Sequence, residues 1–193
     1  MTHAESVDAA RAALVDQLRE HALVIGKVVL TSGRTAEYLV DAKRAILRPE
    51  GFFALAALVA DQARVWRATA VGGMTMGADP IACAALAGGA EVKAFFVRKE
   101  VKDHGLARRI EGPALAPRDR LMVVEDVVTT GGSTIRAVEA VREEGHTVCG
   151  VLAICDRLAG GAQTIERAAG APFVALTTID EIYPQRPDRG EGS

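Results

Sequence analysis

The chain has 193 residues, 49% of them hydrophobic and 25% charged, enough to bury a core within one globular α/β domain. A formal net charge of -2 argues against a broad nucleic-acid-binding surface, and no apolar run approaches membrane-spanning length. Cys83, Cys149 and Cys155 stand singly among small or apolar residues without CxxC or Cys/His metal spacing, so buried reduced thiols are expected.

In chain order, Val7, Ala10, Leu14, Leu18 and His21 recur at helical spacing. Acids in this N-terminal stretch set it apart from a secretion signal, so a cytoplasmic protein is expected. "KVVLTSGRTAEYLVDAK" reads as two short strands around a Ser32-Gly33 turn. From Pro49 onward strands and helices alternate. "RPEGFFALAALVADQARVW" is a helix, "ATAVGG" a strand, "ADPIACAALAGG" a helix closed by Gly88-Gly89, and "EVKAFFV" a strand. "RKEVKDHGLARRIEGPALAPRD" is one long charged loop, followed by the strand "RLMVVED", the helix "GSTIRAVEAVREEG" and the strand "TVCGVLAICDR". A helix "GGAQTIERAAG" and a last strand "PFVALTTID" precede a polar tail, 184–193, whose composition predicts disorder. Apolar strands separated by helices imply a mainly parallel sheet covered on both faces, with ligands beyond the carboxyl ends of its strands.

At one such end, in "VVEDVVTTGGST", Glu125 and Asp126 close the apolar run and hydroxyls and glycines follow at once. Gly131 and Gly132 permit positive φ and lack Cβ atoms, so successive N–H groups can converge on a phosphate, assisted by Thr129, Thr130, Ser133 and the start of a helix. A bare Thr-Thr-Gly-Gly-Ser turn is more often a plain helix cap. Joined to two carboxylates, it fits a sugar phosphate whose vicinal hydroxyls donate to the acids. The long loop brings Arg98, Lys99, Lys102, His104, Arg108 and Arg109 together, a cluster that is either a solvated charge run or a clamp for a highly charged anion. Its length and Gly105 suit a loop that closes over reacting phosphates.

"VVEDVVTTGGST" resembles the phosphoribosyl diphosphate (PRPP) signature of the type I phosphoribosyltransferases, with apolar positions, Val127 and Val128 among them, around two acids. "RKEVKDHG" looks like the catalytic loop of one branch, the orotate phosphoribosyltransferases. "LTSGRTAEYLVDAK" is similar to that branch's N-terminal hood, and "VGGMTMGADPIA" to its diphosphate loop. The resemblance implies a single phosphoribosyltransferase domain over 1–183, with a hood at about 1–45, a core at about 46–183 and a long flexible catalytic loop. It implies Mg2+-dependent transfer of ribose 5-phosphate from PRPP to orotate in UMP biosynthesis. Carried over, Glu125 and Asp126 meet the ribose hydroxyls, and Thr129, Thr130, Gly131, Gly132 and Ser133 the 5'-phosphate. Arg98, Lys99, Lys102 and His104 hold the diphosphate, with Lys102 the strongest contact to the leaving group. Thr129 and Arg157 meet orotate. Mg2+ rides on the substrate without direct protein ligands, and a homodimer shares its active sites. Transfer to another base, or PRPP sensing without catalysis, is the alternative on the same fold. The chain departs from the frequent pattern at Thr31 and Met76, where lysines are common, and at Ala36-Glu37, where Ser-Pro is common.

Overall fold

The computed structural model describes residues 2–29, 35–100 and 109–189. Helix α1 (His3–His21) begins with a reciprocal cap, in which Thr2 Oγ1 accepts from Glu5 N–H and Glu5 Oε2 accepts from Thr2 N–H at 2.6 Å. Its face of Leu14, Val15 and Leu18 is buried. Strands β1 (Leu23–Val29) and β2 (Thr35–Val40) pair antiparallel as a separate two-stranded sheet, irregular between Ile25 and Val28. The turn expected at Ser32-Gly33 lies outside the described residues. Helix α2 (Lys43–Ile46) leads into α3 (Pro49–Val65), where Pro49 stands in the first turn and so removes no intrahelical hydrogen bond.

A six-stranded sheet follows, built from β3 (Ala70–Met74), α4 (Asp79–Ala87), β4 (Lys93–Val97), β5 (Ile110–Glu111), β6 (Arg120–Val128), α5 (Gly132–Glu143), β7 (Thr147–Asp156), α6 (Gly161–Ala169) and β8 (Phe173–Thr178), with α7 (Ile179–Ile182) beyond it. The strand order is β5-β4-β3-β6-β7-β8, parallel throughout except where β5 runs against β4. Because side chains alternate across a strand, β6 feeds two cores. Met122 and Val124 join Leu14, Leu55, Ile81 and Ile154 on one face, while Leu121 and Val123 join Phe95, Val141 and Ile165 on the other. No described helix is long and apolar enough to cross a membrane.

Several expectations need correction. Strand β6 does not stop at the acids but continues through Val127 and Val128, because both acids find partners that let them stay in the sheet. The long loop contains β5, whose two residues pair with Phe96 and Val97. Cys83 is exposed on α4, Cys149 is half-buried, and only Cys155 is fully buried. Residues 184–189 of the tail are folded: Arg186 N–H donates to Tyr183 O and Arg189 Nη1 to Pro184 O, so the disorder expected from composition does not hold for them, and 190–193 lie outside the described residues.

Candidate active site

The sheet order reverses beside β3: the chain moves outward to β4, then returns to place β6 on the other side of β3. At such a reversal the loops leaving the two central strands diverge and open a crevice at their carboxyl ends. Asp126 stands at the β6 side, and the turn between β3 and α4 forms the other wall. Gly77 in that turn has no side chain for a steric reason: a Cβ there would lie 2.7 Å from Asp126 Oδ1. The peptide Thr75-Met76 is cis, and the Met76 side chain is exposed.

Successive strand residues point to opposite faces, and this separates the two acids. Glu125 turns toward α5, is 5% exposed, and its Oε2 accepts from Ser133 Oγ at 2.6 Å and Thr134 Oγ1 at 3.0 Å. Burial pushes its carboxyl up to about 7, opposed by the Ser133 bond and reinforced by the charge of Asp126. Asp126 turns to the crevice, where its Oδ2 accepts from Lys43 Nζ at 2.9 Å and its Oδ1 from Val127 N–H at 2.8 Å. Lys43 also reaches Asp41 at 3.0 Å. Its ammonium pKa is raised: burial alone would lower it, but Asp126 and Asp41 together outweigh that cost. The sequence motifs give Lys43 no functional role, because its partner Asp126 is 83 positions away. Its only sequence signal was a basic residue two places after the hood's Asp41.

Beyond Val128 the turn takes the expected form. Gly131 caps α5 at φ 84°, in the left-handed region that favours glycine, and a Cβ there would press within 2.8 Å of Ile165. Gly132, by contrast, is already the first residue of α5 and does not take a positive φ. Thr129, Thr130 and Gly132 are exposed, so the turn offers backbone donors, a helix N-terminus and two hydroxyls to an anion. Ser133 is half-buried, with its hydroxyl directed to Glu125. Arg157 follows β7, and its N–H donates to Val128 O at 2.8 Å, tying the base of its side chain to the same turn. The guanidinium lies over the Tyr38 ring at 4.6 Å and donates to Tyr38 Oη at 2.7 Å.

At the far side of the crevice, Thr75, Arg98, Lys99 and Glu100 line a cavity of about 320 Å3. Arg98 N–H donates to Arg109 O at 2.9 Å and its guanidinium lies 3.4 Å from Glu111, so the long loop leaves and rejoins the sheet at adjacent points. Lys102, His104 and Arg108 lie outside the described residues. Asp126, Thr129, Thr130, Gly131 and Gly132 are thus brought together, with Arg98 and Lys99 flanking them. Glu125 is turned away into a hydroxyl-lined niche.

No family model matches the chain. It is 47% identical over 180 residues to the orotate phosphoribosyltransferase of Streptomyces avermitilis, covering 91% of this chain and 98% of that protein. It is 43% identical over 174 residues to that of Corynebacterium glutamicum, covering 90% and 94%. Among solved structures, the orotate phosphoribosyltransferase of Mycobacterium tuberculosis H37Rv in complex with PRPP superposes with a TM-score of 0.76 at 36% identity, over 90% of this chain and 98% of that one. With the crevice, the anion turn and relatives matched along nearly their whole length, the chain belongs to the orotate phosphoribosyltransferases.

Proposed function

We propose that PRPP lies in the crevice between the ends of β3 and β6, with its ribose hydroxyls on Asp126 and its 5'-phosphate on the turn from Thr129 to Ser133. Its diphosphate then faces Thr75, Arg98 and Lys99, and orotate enters beside Arg157. The observation that carries this reading is Asp126: a carboxylate on the open side of a topological switch point, three residues from a helix-capping turn that exposes donors for an anion. The solved complex of the Mycobacterium tuberculosis relative with PRPP supports it.

The enzyme transfers ribose 5-phosphate from PRPP to orotate, so the bond that breaks joins the anomeric carbon to diphosphate. As it lengthens, positive charge builds on the ribosyl group and negative charge on the departing oxygens, and catalysis consists of stabilising that separation. Arg98 and Lys99 supply positive charge on the leaving side. Lys102 and His104, in the segment resembling the family's catalytic loop, add more, acting in the site of the neighbouring subunit of a homodimer. Thr129 and Arg157 orient the base, the guanidinium fork suiting a carboxylate.

Mg2+ is the expected cofactor. Among the described residues no three His, Cys, Asp or Glu side chains come together to hold a metal, and Glu125 is occupied by two hydroxyls. A single partly exposed carboxylate, Asp126, already paired with Lys43, fits an ion carried mainly by the oxygens of the substrate with Asp126 near it. Bound there, the ion offsets the charge of the leaving diphosphate. The setting of this reading is the cytoplasm.

Orotate consumption with PRPP tests the assignment. Asp126→Asn is expected to lower kcat/KM by ten- to a hundredfold, about 1.5–3 kcal/mol for lost charge-assisted hydrogen bonds. The melting temperature should stay near wild type, because Lys43 keeps Asp41 as a partner. Excess EDTA should abolish turnover. Undiminished activity of Asp126→Asn, or full rate in EDTA, would remove the residue or the metal from the mechanism.

A further inference from the structure

The segment after α7 folds back over the hood, and it carries a carboxylate to the residue assigned to the carboxylate of the substrate. Tyr183 stacks edge-on against Tyr38, with ring centroids 5.3 Å apart and planes at 82°. From there the chain turns through Pro187 and delivers Asp188 onto Tyr38 Oη, 3.0 Å from Oδ1 and 2.9 Å from Oδ2. Arg157 Nη2 lies 3.5 Å from Asp188 Oδ2, and Arg186 Nε 3.1 Å from Asp188 Oδ1. Tyr38 is buried at 3% exposure, and burial together with the bond to Asp188 raises its hydroxyl pKa, so it remains a donor. Beside this cluster is a cavity of about 340 Å3, with Tyr38, Arg157, Pro187 and Asp188 in its wall. That volume is within the usual range for a small-molecule site.

We propose that Asp188 is an internal competitor for the carboxylate of orotate: it holds Arg157 and Tyr38 while the base site is empty and must yield them before orotate can bind. The proposal rests on the reading that Arg157 receives that carboxylate. Arg157 Nη2 is engaged by Tyr38 Oη and Asp188 together, and a second carboxylate arriving at the same guanidinium meets the repulsion of the first. The contact is built to be exchanged. Asp188 is 43% exposed, and an ion pair wet on one side is weakly held. Arg186 has a second acidic partner in Asp180, so it is not stranded when Asp188 leaves. Orotate keeps its carboxylate when it becomes a nucleotide, so Asp188 competes with product as well as with substrate and assists product release.

The test is Asp188→Asn in the full chain, with orotate KM, PRPP KM and the inhibition constant of orotidine 5'-monophosphate measured, and uracil as a base without the carboxylate. The expected result is an orotate KM and a product inhibition constant each lower by about three- to tenfold, with PRPP KM and inhibition by uracil unchanged. A chain ending at Tyr183 should shift orotate binding the same way. An unchanged orotate KM overturns the proposal, and a raised one makes Asp188 a support for Arg157 instead of its competitor. Arg157→Gln separates the two levels. If it raises orotate KM while Asp188→Asn does nothing, only the competitor fails; if it leaves orotate KM unchanged, the base-site reading fails and the proposal with it.

Discussion

Glu125 and Asp126 are neighbours in sequence, yet the pleat of β6 sends one into a niche of hydroxyls and the other into the crevice. Their titration follows from that difference. With a folded pKa near 7 against an ordinary value of 4.5, Glu125 binds a proton in the folded chain that the unfolded chain has released. Its stabilising effect is therefore complete below about pH 4.5 and is lost as pH rises through about 7. Melting temperatures from pH 5 to 8 should fall for the wild type across that window and fall less for Glu125→Gln; parallel curves would mean that Glu125 is ionised throughout. Lys43 provides the matching test on the crevice side. Lys43→Met leaves Asp126 without its cation, and PRPP KM should rise roughly fivefold, the equivalent of about 1 kcal/mol for one partly exposed pair, with Lys43→Arg restoring most of the loss. Equal values for Met and Arg would show that the charge is not what matters.

At the scale of elements, the return of the long loop to the sheet is fixed by Asp119, just ahead of β6. Its carboxylate accepts from Lys93 Nζ at 2.7 Å, Ala116 N–H at 2.6 Å and Thr69 Oγ1 at 2.8 Å, which together join β4, the loop and the start of β3. The Lys93 bond, then the Ala116 N–H, hold its carboxyl down at about 2. A depressed acid stabilises above its unfolded pKa, so this contribution is present at neutral pH and is lost as pH falls from about 4 to about 2. Asp119→Asn should cost about 2 kcal/mol in chemical denaturation at pH 7 and flatten the acid limb, since hydrogen bonds to a charged group are worth about 1.5–3 kcal/mol. A variant as stable as wild type would show that the loop needs no such anchor. The long elements were legible in the sequence because their apolar spacing spans several turns or a whole strand. Two kinds of feature were not. The pieces β5, α2 and α7 have two to four residues, too few for any period to register, and they exist because neighbouring elements hold them. The roles of Lys43, of Glu125 and of the tail depend on partners supplied by the fold, and for Lys43 and Asp188 those partners lie 83 and 150 residues away. The turn from Thr129 to Ser133 was legible because donors, glycines and helix start are contiguous; two residues differ, Gly132 in taking no positive φ and Ser133 in giving its hydroxyl to Glu125.

For the molecule as a whole, the resemblance of "RKEVKDHG" to a loop that reaches into a partner's site makes mixing of variants decisive. On the proposal that Lys102 acts in the site of the neighbouring subunit of a homodimer, Lys102→Ala and Asp126→Asn, each strongly impaired alone, should recover to roughly a quarter of wild-type activity when unfolded and refolded together in equal amounts, because about half the dimers would be mixed and each would have one intact site. Proven exchange without recovery would mean that every subunit uses its own Lys102. The sheet order has a consequence for how such a chain is made. Strand β3 finds β4 soon after it is synthesised, but its other neighbour, β6, emerges about 50 residues later. Until then the nascent chain presents an unpaired edge at Ala70–Gly72, with the donors and acceptors of a central strand open to any passing strand. The crevice comes into being only when that edge is closed, so the interval in which the growing polypeptide is most exposed to misassociation is also one in which it cannot yet hold a substrate that would protect it.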